Sequence, residues 1–572
     1  MNVLERLRQS FAAATPEGGE PSAFAAAVRP SGDAKFGDYQ ANGCMALAKS
    51  LGKNPRELAS QVARAVDLEP LAPSPEVAGP GFLNVRLRDE WIARALDALS
   101  NDSTLGVSSP ARPKTVVVDY SSPNVAKPMH VGHIRSTVIG DSLARIFTAL
   151  GHRVIRDNHL GDWGSQFGMI LWGWKNHRDE AAYAAEPVRE LARLYRFAQD
   201  RIKAGESAVE DAARNETAKL HAGDPENRAL WEQFMPHCLK ALEALYERLG
   251  VSFDVQLGES FYDPMLDGVV KELETKALAV ESEGATVVFT EESKAPFIVR
   301  KSDGAYNYAT TDLATIRYRE ETWHPDEALY VVDSRQGDHF KQLFAVARRW
   351  GYNRTDFEHV AFGTILGPDR RPFKTRSGDV IGLESLLDEA VAEARKVVDE
   401  NSPDLTPEER QHVAEVVGLG AIKYADLAQN RLSDYVFDWN KMLAMNGNTG
   451  AYLQYAYARI QSIFRKGNVT AEAIHELRPA IVLTNPAERA LGVRILRFPE
   501  TLELAAAELK PNILTDYLFD LANQFSTFFE ECPVLKAESA ERPDSRLALC
   551  DLVGRTLKKG LDLLGIDVVD RM

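Results

Sequence analysis

The sequence has little cysteine and no long apolar run. Four cysteines stand in 572 residues, and they lie too far apart for a zinc ribbon or a CxxC redox pair, so they are expected as buried, reduced thiols. No apolar run approaches the ~18 residues that a membrane-spanning helix needs. The start of the chain, Met1 to Arg8, mixes acidic and basic side chains where a signal peptide is apolar. These absences predict a cytoplasmic protein without a membrane partner.

Positive charge is also in short supply, because 67 lysines and arginines stand against 83 aspartates and glutamates and give a net charge of −16. A nucleic acid partner must therefore be bound by a local basic surface rather than by the charge of the whole chain. The sequence contains neither a P-loop string nor a GxGxxG fingerprint, which argues against P-loop NTPases and dinucleotide-binding enzymes. Hydrophobic residues make up 45% and charged residues 26%, so the whole chain is expected to fold.

The length exceeds what one hydrophobic core usually organises, and stretches rich in Pro and Ser indicate where the chain divides. Residues 1–105 begin with an amphipathic helix pattern and end near the strand-like Phe82–Leu87, which predicts a small α+β domain. Residues 106–440 are predicted to form a second domain. Residues 441–572, whose apolar positions follow a helical period, are predicted to form an all-α third domain.

The second domain opens with the pattern of a nucleotide-binding fold. Thr115–Val118 is a β-branched run typical of a buried parallel strand, and residues 134–150 follow a helical pattern that stops at Gly151. Arg153–Arg156 is typical of a second strand. Together these segments predict a β-α-β unit.

The pattern of this fold is interrupted and then resumes. From about residue 171 to residue 292 the sequence becomes helical and highly charged, and Thr286–Phe289 and Phe297–Arg300 are typical of strands. We interpret residues from about 171 to 300 as an insertion. Strand patterns return at Ala328–Val332 and at His359–Leu366, and both are expected in the same parallel sheet. We therefore predict a multidomain α/β protein with a Rossmann-like domain that carries an insertion.

The densest functional signal lies between the first predicted strand and the helix that follows it. His130, Gly132 and His133 come shortly after Lys127 at this point. The unpaired N–H groups and the positive dipole end of a helix start attract phosphate. Gly132 leaves room for a nucleotide against the backbone, and the two histidines can donate hydrogen bonds to phosphate oxygens. The alternative is a loop whose histidines only cap the helix, but the position after a buried strand and beside Lys127 favours phosphate binding.

These strings resemble those of a known family. His130-Val131-Gly132-His133 is similar to HIGH, the first signature of the class I aminoacyl-tRNA synthetases. Residues 121–128, the Ile134-Arg135-Ser136 that follow the signature, and residues 159–168 resemble the arginyl-tRNA synthetases in particular. The resemblance covers essentially the full chain. It implies a class I catalytic domain, an N-terminal domain that binds the tRNA elbow and an α-helical C-terminal anticodon-binding domain.

The second class I signature, usually KMSK, has a candidate in residues 372–378, PFKTRSG. Lys374 falls one place early and Thr375 occupies the position of the second lysine, a departure that is common among arginyl enzymes. In that family a lysine ahead of the first signature compensates, and Lys127 matches it. Taken alone, Lys374 and Arg376 would be an ordinary solvated turn. The resemblance implies that the catalytic residues are Lys127, His130, Gly132, His133, Lys374 and Arg376, and that His130, Gly132, His133 and Lys374 bind ATP.

Tyr308 and Asp312 are candidates for substrate recognition, because residues four apart on a helix share one face. A carboxylate beside a phenol suits a guanidinium, whose planar fork of N–H donors needs a bidentate acceptor. Without the resemblance, an exposed helix face would be the preferred explanation of the pair. Gln336 follows a predicted strand end, a common position for pocket residues. The resemblance implies that Tyr308, Asp312 and Gln336 hold arginine and that Ser122, Asn124 and His133 contact its amino acid end.

Aromatic and basic side chains are interleaved in the predicted helix that follows Gly447. Such residues stack on unpaired RNA bases and neutralise phosphates, so we predict that Tyr452, Tyr455 and Arg459 bind tRNA. A helix that buries Tyr457 and its apolar neighbours in its own bundle explains some of the same residues.

The resemblance implies an arginine–tRNA ligase, which activates L-arginine with ATP and transfers it to tRNA(Arg). Magnesium is expected with ATP although the sequence shows no dedicated metal-ligand cluster, and a monomer is expected. Two alternatives stay open. A small-molecule adenylate-forming ligase of the pantothenate synthetase type would not need a large helical C-terminal domain, and a non-catalytic RNA-binding relative is disfavoured by the intact His130, Gly132, His133 and Asp312.

Overall fold

The structure is a computed structural model that describes residues 2–125, 127–371, 373, 381–477, 479–535 and 543–572. The chain forms two compact units. One unit contains Met1–Ser109, Ala444–Asp562 and Asp567–Met572, and the other contains Pro110–Leu443 and Leu563–Ile566. Both ends of the chain therefore fold into the same unit. The division into three domains with separate roles stays a prediction.

The N-terminal segment is α+β. Its sheet is antiparallel in the order β1-β2-β4-β3, and Leu7 and Phe11 on the first helix are completely buried, as the amphipathic pattern indicates. Its elements are α1 (Val3–Ala13), α2 (Pro21–Ala26), β1 (Val28–Pro30), β2 (Tyr39–Ala41), α3 (Gly43–Leu51), α4 (Pro55–Ala65), β3 (Glu76–Ala78), β4 (Phe82–Val85) and α5 (Asp89–Ser100).

The second unit is built on a parallel sheet of five strands. Their order across the sheet is β12 (Asp356–His359), β11 (Glu327–Tyr330), β5 (Thr115–Asp119), β6 (Arg153–Leu160) and β7 (Val255–Gly258). Val116, Val117 and Val118 of the central strand are completely buried, because helices cover both faces of such a sheet. The predicted β-α-β unit is β5 (Thr115–Asp119), α6 (Val131–Ala149) and β6 (Arg153–Leu160). The strand order reverses at β5, so the ends of β5 and β11 form the crevice where ligands of such sheets bind.

Between β6 and β11 the chain is mostly helical, as expected for an insertion. Within the predicted range of about 171 to 300, however, β7 belongs to the central sheet and pairs with β6. The two strands predicted near the end of that range are confirmed as β9 and β10, which form a separate antiparallel sheet with β8. The elements are α7 (Ser165–His177), α8 (Glu180–Ala185), α9 (Pro187–Lys203), α10 (Ser207–His221), α11 (Pro225–Arg248), β7 (Val255–Gly258), α12 (Glu259–Tyr262), α13 (Leu266–Thr275), β8 (Val280–Ser282), β9 (Ala285–Val288) and β10 (Phe297–Arg300).

The central sheet is completed after this segment by two strands and their helices. The prediction of a single strand from His359 to Leu366 was wrong: the sheet strand ends at His359, where a tight turn is closed by the Ala361 N–H donating to the His359 carbonyl, and Ile365–Leu366 pairs instead with Tyr435–Val436. The elements are α14 (Tyr308–Trp323), β11 (Glu327–Tyr330), α15 (Gly337–Trp350), β12 (Asp356–His359), β13 (Ile365–Leu366), α16 (Leu383–Asn401), α17 (Pro407–Leu427), β14 (Tyr435–Val436) and α18 (Trp439–Met442).

In the described residues of the C-terminal segment the regular elements are all helices, as predicted. In its unit it packs on the N-terminal segment, where Arg489 forms a bidentate pair with Asp38 and the Tyr39 hydroxyl donates to Glu500 at 3.0 Å. The helices are α19 (Gly450–Gly467), α20 (Ala471–Leu477), α21 (Pro486–Leu496), α22 (Phe498–Ala507), α23 (Asn512–Glu531) and α24 (Pro543–Leu563). Among all the described helices, none is long and apolar enough to span a membrane.

Candidate active site

A cavity of about 820 Å³ opens at the carboxyl edge of the parallel sheet. Its wall comes from the segment after β5, the start of α6, the end of β6, the start of α12, the first turns of α14 and the segment after β11. This is the crevice where the strand order reverses, the usual ligand position in such sheets. The predicted site residues that line it are Ser122, Asn124, His130, Gly132, His133, Tyr308, Asp312 and Gln336.

The turn that leaves β5 brings Ser122 to the cavity in a rare backbone conformation. Ser121 and Ser122 have φ values of 66° and 44°, in the left-handed region that non-glycine residues seldom adopt. Polar partners hold the turn: the Ser121 N–H donates to Ser136 Oγ at 2.9 Å, and the Ser122 hydroxyl donates to Asp119 Oδ1 at 2.8 Å. Several side chains thus fix the position of Ser122 beside the cavity.

His130 and His133 form a reciprocal cap at the start of α6. The Gly132 N–H donates to His130 Nδ1 at 3.1 Å, and the His130 N–H donates to His133 Nδ1 at 3.0 Å. Because each Nδ1 accepts a hydrogen bond, each neutral ring carries its proton on Nε2. Burial, helped by the charge of Lys127, lowers the pKa of His130, and burial together with His130 lowers the pKa of His133 to about 3. Both rings are therefore neutral Nε2–H donors near neutral pH.

The expectation that the backbone N–H groups at this helix start are unpaired was wrong. Val131 N–H donates to the Ile381 carbonyl at 3.0 Å, Gly132 N–H to the His130 ring, and His133 N–H to the His130 carbonyl at 2.8 Å. These donors are therefore already hydrogen-bonded within the protein. Val131 uses its N–H in a strand-like contact with the segment before α16, and the other two belong to the cap at the helix start. The capping interpretation of the histidines is confirmed. Because capping uses Nδ1, it is compatible with the prediction that Nε2–H donates to a ligand.

Gly132 is required for the position of the His130 ring. A Cβ at this residue would lie 2.9 Å from His130 Cε1 and 3.0 Å from His130 Nδ1, closer than real Cβ contacts. Besides leaving space for a ligand, the glycine therefore permits the cap itself, a reason that the sequence did not indicate.

Lys127 lies near the histidines but does not line the cavity. Its Nζ is 4.9 Å from the centre of the Tyr195 ring, a distance typical of a cation–π contact. Lys374 and Arg376 lie outside the described residues. Phe373, directly before them, lines the cavity and stacks on Phe437 with ring centres 4.6 Å apart.

Tyr308 and Asp312 occupy the first turns of α14 and both line the cavity, as their spacing predicts. Gln336 lines it from the short 3-10 helix Ser334–Gln336, which follows β11. Asp312 Oδ2 accepts a hydrogen bond from His339 Nε2 at 2.6 Å. The sequence did not indicate His339, which belongs to α15.

Glu259 is a second carboxylate of the cavity that the sequence did not indicate. It is the first residue of α12, directly after β7, and it lines the cavity. Burial raises its pKa; His159 works against this effect, and the negative charges of Asp162 and Asp312 add to it. A cation entering the cavity would stabilise the ionised form of Glu259. Its position after a strand was the available signal, but β7 has only four residues.

A buried ion-pair network joins α14 to β5 and β6 beside the cavity. Arg319 of α14 donates from Nη2 to Asp119 Oδ2 at 2.6 Å and from Nε to Asp157 Oδ2 at 3.0 Å. Asp119 is the last residue of β5 and Asp157 lies within β6. Asp119 also accepts a hydrogen bond from Ser122. Complete burial by itself lowers the pKa of Arg319. The negative charges of Asp119 and Asp157 outweigh this effect, so the pKa lies above its ordinary value. The network fixes the helix of Tyr308 and Asp312 against β5 and β6.

The three predicted tRNA-binding residues lie on α19, in the other unit. Tyr455 is 41% exposed, whereas the Tyr452 hydroxyl donates to Asn523 Oδ1 at 3.0 Å and the Arg459 guanidinium lies 4.4 Å from the centre of the Phe529 ring. Tyr457 is buried, as the packing alternative expects. Tyr455 is therefore the most accessible stacking surface of the three.

Three family models match successive parts of the chain. The model described as "tRNA synthetases class I (R), catalytic domain" matches residues 95–439, "Arginyl tRNA synthetase N terminal domain" matches residues 2–87, and "DALR anticodon binding domain" matches residues 453–572. The first of them covers the five strands of the parallel sheet and the described cavity.

Similar proteins align from end to end. The arginine–tRNA ligase of Enterobacter sp. (strain 638) is 45% identical over 582 residues, covering 100% of each chain. The crystal structure of arginyl-tRNA synthetase from Plasmodium falciparum is 30% identical with a TM-score of 0.85, covering 100% of this chain and 99% of that chain. The arginyl-tRNA synthetase of Thermus thermophilus is 26% identical with a TM-score of 0.83, covering 100% of each chain. The predicted fold class and the resemblance are confirmed: the chain belongs to the arginyl-tRNA synthetase family.

Proposed function

We propose that the cavity activates L-arginine with ATP and that the chain then transfers the arginyl group to tRNA(Arg). In the first step an oxygen of the arginine carboxylate attacks the α-phosphate of ATP, and pyrophosphate leaves. In the second step a hydroxyl of the terminal ribose of tRNA attacks the carbonyl carbon of arginyl-adenylate, and AMP leaves. The observation that carries this proposal is one cavity whose lining combines the imidazoles of His130 and His133 with the carboxylates of Glu259 and Asp312, which come from other elements.

The phosphate part of the site is formed by His130, Gly132 and His133. Their backbone donors are already used, so the groups offered to phosphate oxygens are the two Nε2–H groups. The rings stand 4.0 Å apart, centre to centre, so they can contact neighbouring oxygens of one triphosphate. Neutral donors fixed before the reaction stabilise charge as it develops on the phosphates without the cost of reorienting water.

The arginine part of the site is formed by Asp312, Glu259, Tyr308 and Gln336. The negative charges of Asp312 and Glu259 suit a guanidinium, and the Tyr308 hydroxyl and Gln336 amide add polar contacts. Ser122 and the amide of Asn124, with His133, are proposed to contact the amino acid end of the substrate. A neutral or acidic side chain would leave these carboxylates without a positive partner, which disfavours amino acids of those two kinds.

Three further cations are proposed to act on the phosphates. Lys127 already lowers the pKa of both histidines through its positive charge, so it adds positive potential where the triphosphate is proposed to bind. Lys374 and Arg376 keep the role implied by the second signature. Magnesium is proposed to arrive with ATP as part of the substrate, held by phosphate oxygens.

The remaining partner assignments rest on the helical C-terminal segment and on the family. Tyr452, Tyr455 and Arg459 are proposed to bind tRNA, with Tyr455 as the stacking residue, because an exposed aromatic ring accepts an unpaired base. Binding of the tRNA elbow by residues 1–105, a monomeric state and a cytoplasmic location stay predictions.

Arginine-dependent exchange of pyrophosphate into ATP tests the proposal, measured with and without tRNA for arginine, lysine and citrulline. Of these three amino acids, we expect only arginine to support exchange. D312N removes one carboxylate of the cavity and is expected to raise the KM for arginine at least about 30-fold, because the guanidinium loses a charged hydrogen-bond partner. D338N is the matched control: Asp338 stands on α15 with a side chain that is 92% exposed, and it is expected to change KM by less than about twofold.

Exchange that depends on another small acid and not on arginine would support the small-molecule ligase. If no amino acid supports ATP consumption in the presence of tRNA, the result would support the non-catalytic relative. Equal KM values for D312N and D338N would contradict the placement of the guanidinium beside Asp312.

A further inference from the structure

His339 is hydrogen-bonded to the Asp312 carboxylate. Its Nε2 lies 2.6 Å from Asp312 Oδ2. An ionised carboxylate only accepts hydrogen bonds, so the proton of this bond belongs to His339. Asp312 lines the cavity, whereas His339 is not among the residues that line it. The imidazole therefore acts on the carboxylate from the protein side rather than from the ligand side.

Aromatic rings fix the orientation of the imidazole. Phe297 of β10 is stacked on it with ring centres 5.7 Å apart, and Tyr308 and Phe340 meet it edge to face at 4.8 and 5.3 Å. The side chain of His339 is only 12% exposed. A ring held on several sides cannot rotate freely, so the direction of its N–H is set by packing.

We infer that His339 is a positioning residue for substrate recognition, which fixes the plane of the Asp312 carboxylate so that it accepts the forked N–H groups of a guanidinium. The inference rests on the proposed role of Asp312. A carboxylate offers about four lone-pair positions; the histidine uses one, and a bidentate guanidinium needs two, one on each oxygen. Without the histidine, Asp312 would have to be ordered at the expense of binding energy when arginine binds.

The effect of such a residue falls on the affinity for arginine rather than on the chemical step. The guanidinium is bound alike in the substrate and in the transition state, and loss of uniform binding raises KM and leaves kcat unchanged. A hydrogen bond to a charged group is worth enough to change KM about 10- to 100-fold. The KM values for ATP and tRNA are not expected to change.

Two substitutions separate the hydrogen bond from the packing. H339F keeps an aromatic ring among Phe297, Tyr308 and Phe340 but has no donor. H339Q loses the ring but places an amide N–H near the position of Nε2. We expect H339F to raise the KM for arginine about 10- to 100-fold with kcat changed less than about threefold, and H339Q to stay within about fivefold of the wild-type KM.

The opposite order, with H339Q impaired and H339F normal, would show that the ring only packs and would overturn the inference, as would an unchanged KM in H339F. Should H339F fail to fold, H339Q and H339N decide, because both lose the ring and only the longer amide reaches Asp312: equal KM values for these two would overturn the inference. Wild-type exchange that does not depend on arginine would instead refute the proposed function, so the two failures are distinguishable.

Discussion

The double role of His133 gives the sharpest prediction, because one ring nitrogen caps α6 and the other is proposed to serve the substrate. H133A removes both. H133N keeps an oxygen near the position of Nδ1, which can accept the His130 N–H, and it removes the Nε2–H donor. Loss of one fixed donor to a developing charge costs roughly 10²- to 10³-fold in rate, and loss of a helix cap costs about 1 kcal/mol of stability.

We therefore expect H133N to unfold at nearly the wild-type temperature and to lose roughly 10²- to 10³-fold in the rate of arginine-dependent pyrophosphate exchange. H133A should be equally inactive and about 1 kcal/mol less stable. Calorimetry and exchange assays with saturating tRNA measure the two quantities. Because burial lowers the pKa of His133 to about 3, the donor is present throughout the neutral range. Exchange by H133N within about threefold of wild type would refute the assignment of the Nε2–H group to catalysis.

Three further changes test the rest of the site and fold. G132A forces its Cβ against the His130 ring and is expected to reduce the exchange rate at least about tenfold; an unchanged rate contradicts the cap geometry. R319M leaves two buried carboxylates without their positive partner and should destabilise its unit by about 3–5 kcal/mol. If chemical denaturation shows that the free energy of unfolding falls by less than about 1 kcal/mol, this prediction is contradicted. Burial raises the pKa of Glu500 to about 7 in the folded protein, above its value in the unfolded chain. The folded state is therefore more stable when Glu500 is protonated, and about 3 kcal/mol of the free energy of unfolding is lost as the pH rises toward 7. E500Q should remove this loss, and an unaltered pH dependence of unfolding would contradict it.

The sequence predicted those parts of the site that depend on short-range patterns. The buried run before Ser121, the helix after His130 and the spacing of Tyr308 and Asp312 are local features, and each places its residues by strand burial or helix period alone. The resemblance added Gln336, whose place at the cavity depends only on a strand end.

Residues whose role depends on distant partners could not be predicted. Glu259 follows a strand of four residues inside a long helical stretch. Arg319 pairs with strand residues that lie about 160 and 200 residues earlier in the chain. His339 lies 27 residues from Asp312, and no local sequence pattern distinguishes it from other histidines in helices. The use of the backbone donors of α6 also depended on a distant segment, the one that contains Ile381.

A crystal structure with a non-hydrolysable arginyl-adenylate analogue tests the central claim most directly. The expected result places the phosphate mimic within hydrogen-bond distance of His130 or His133 Nε2 and the guanidinium against Asp312 and Glu259. An analogue bound in this cavity in the reverse orientation, or bound outside it, would contradict the account.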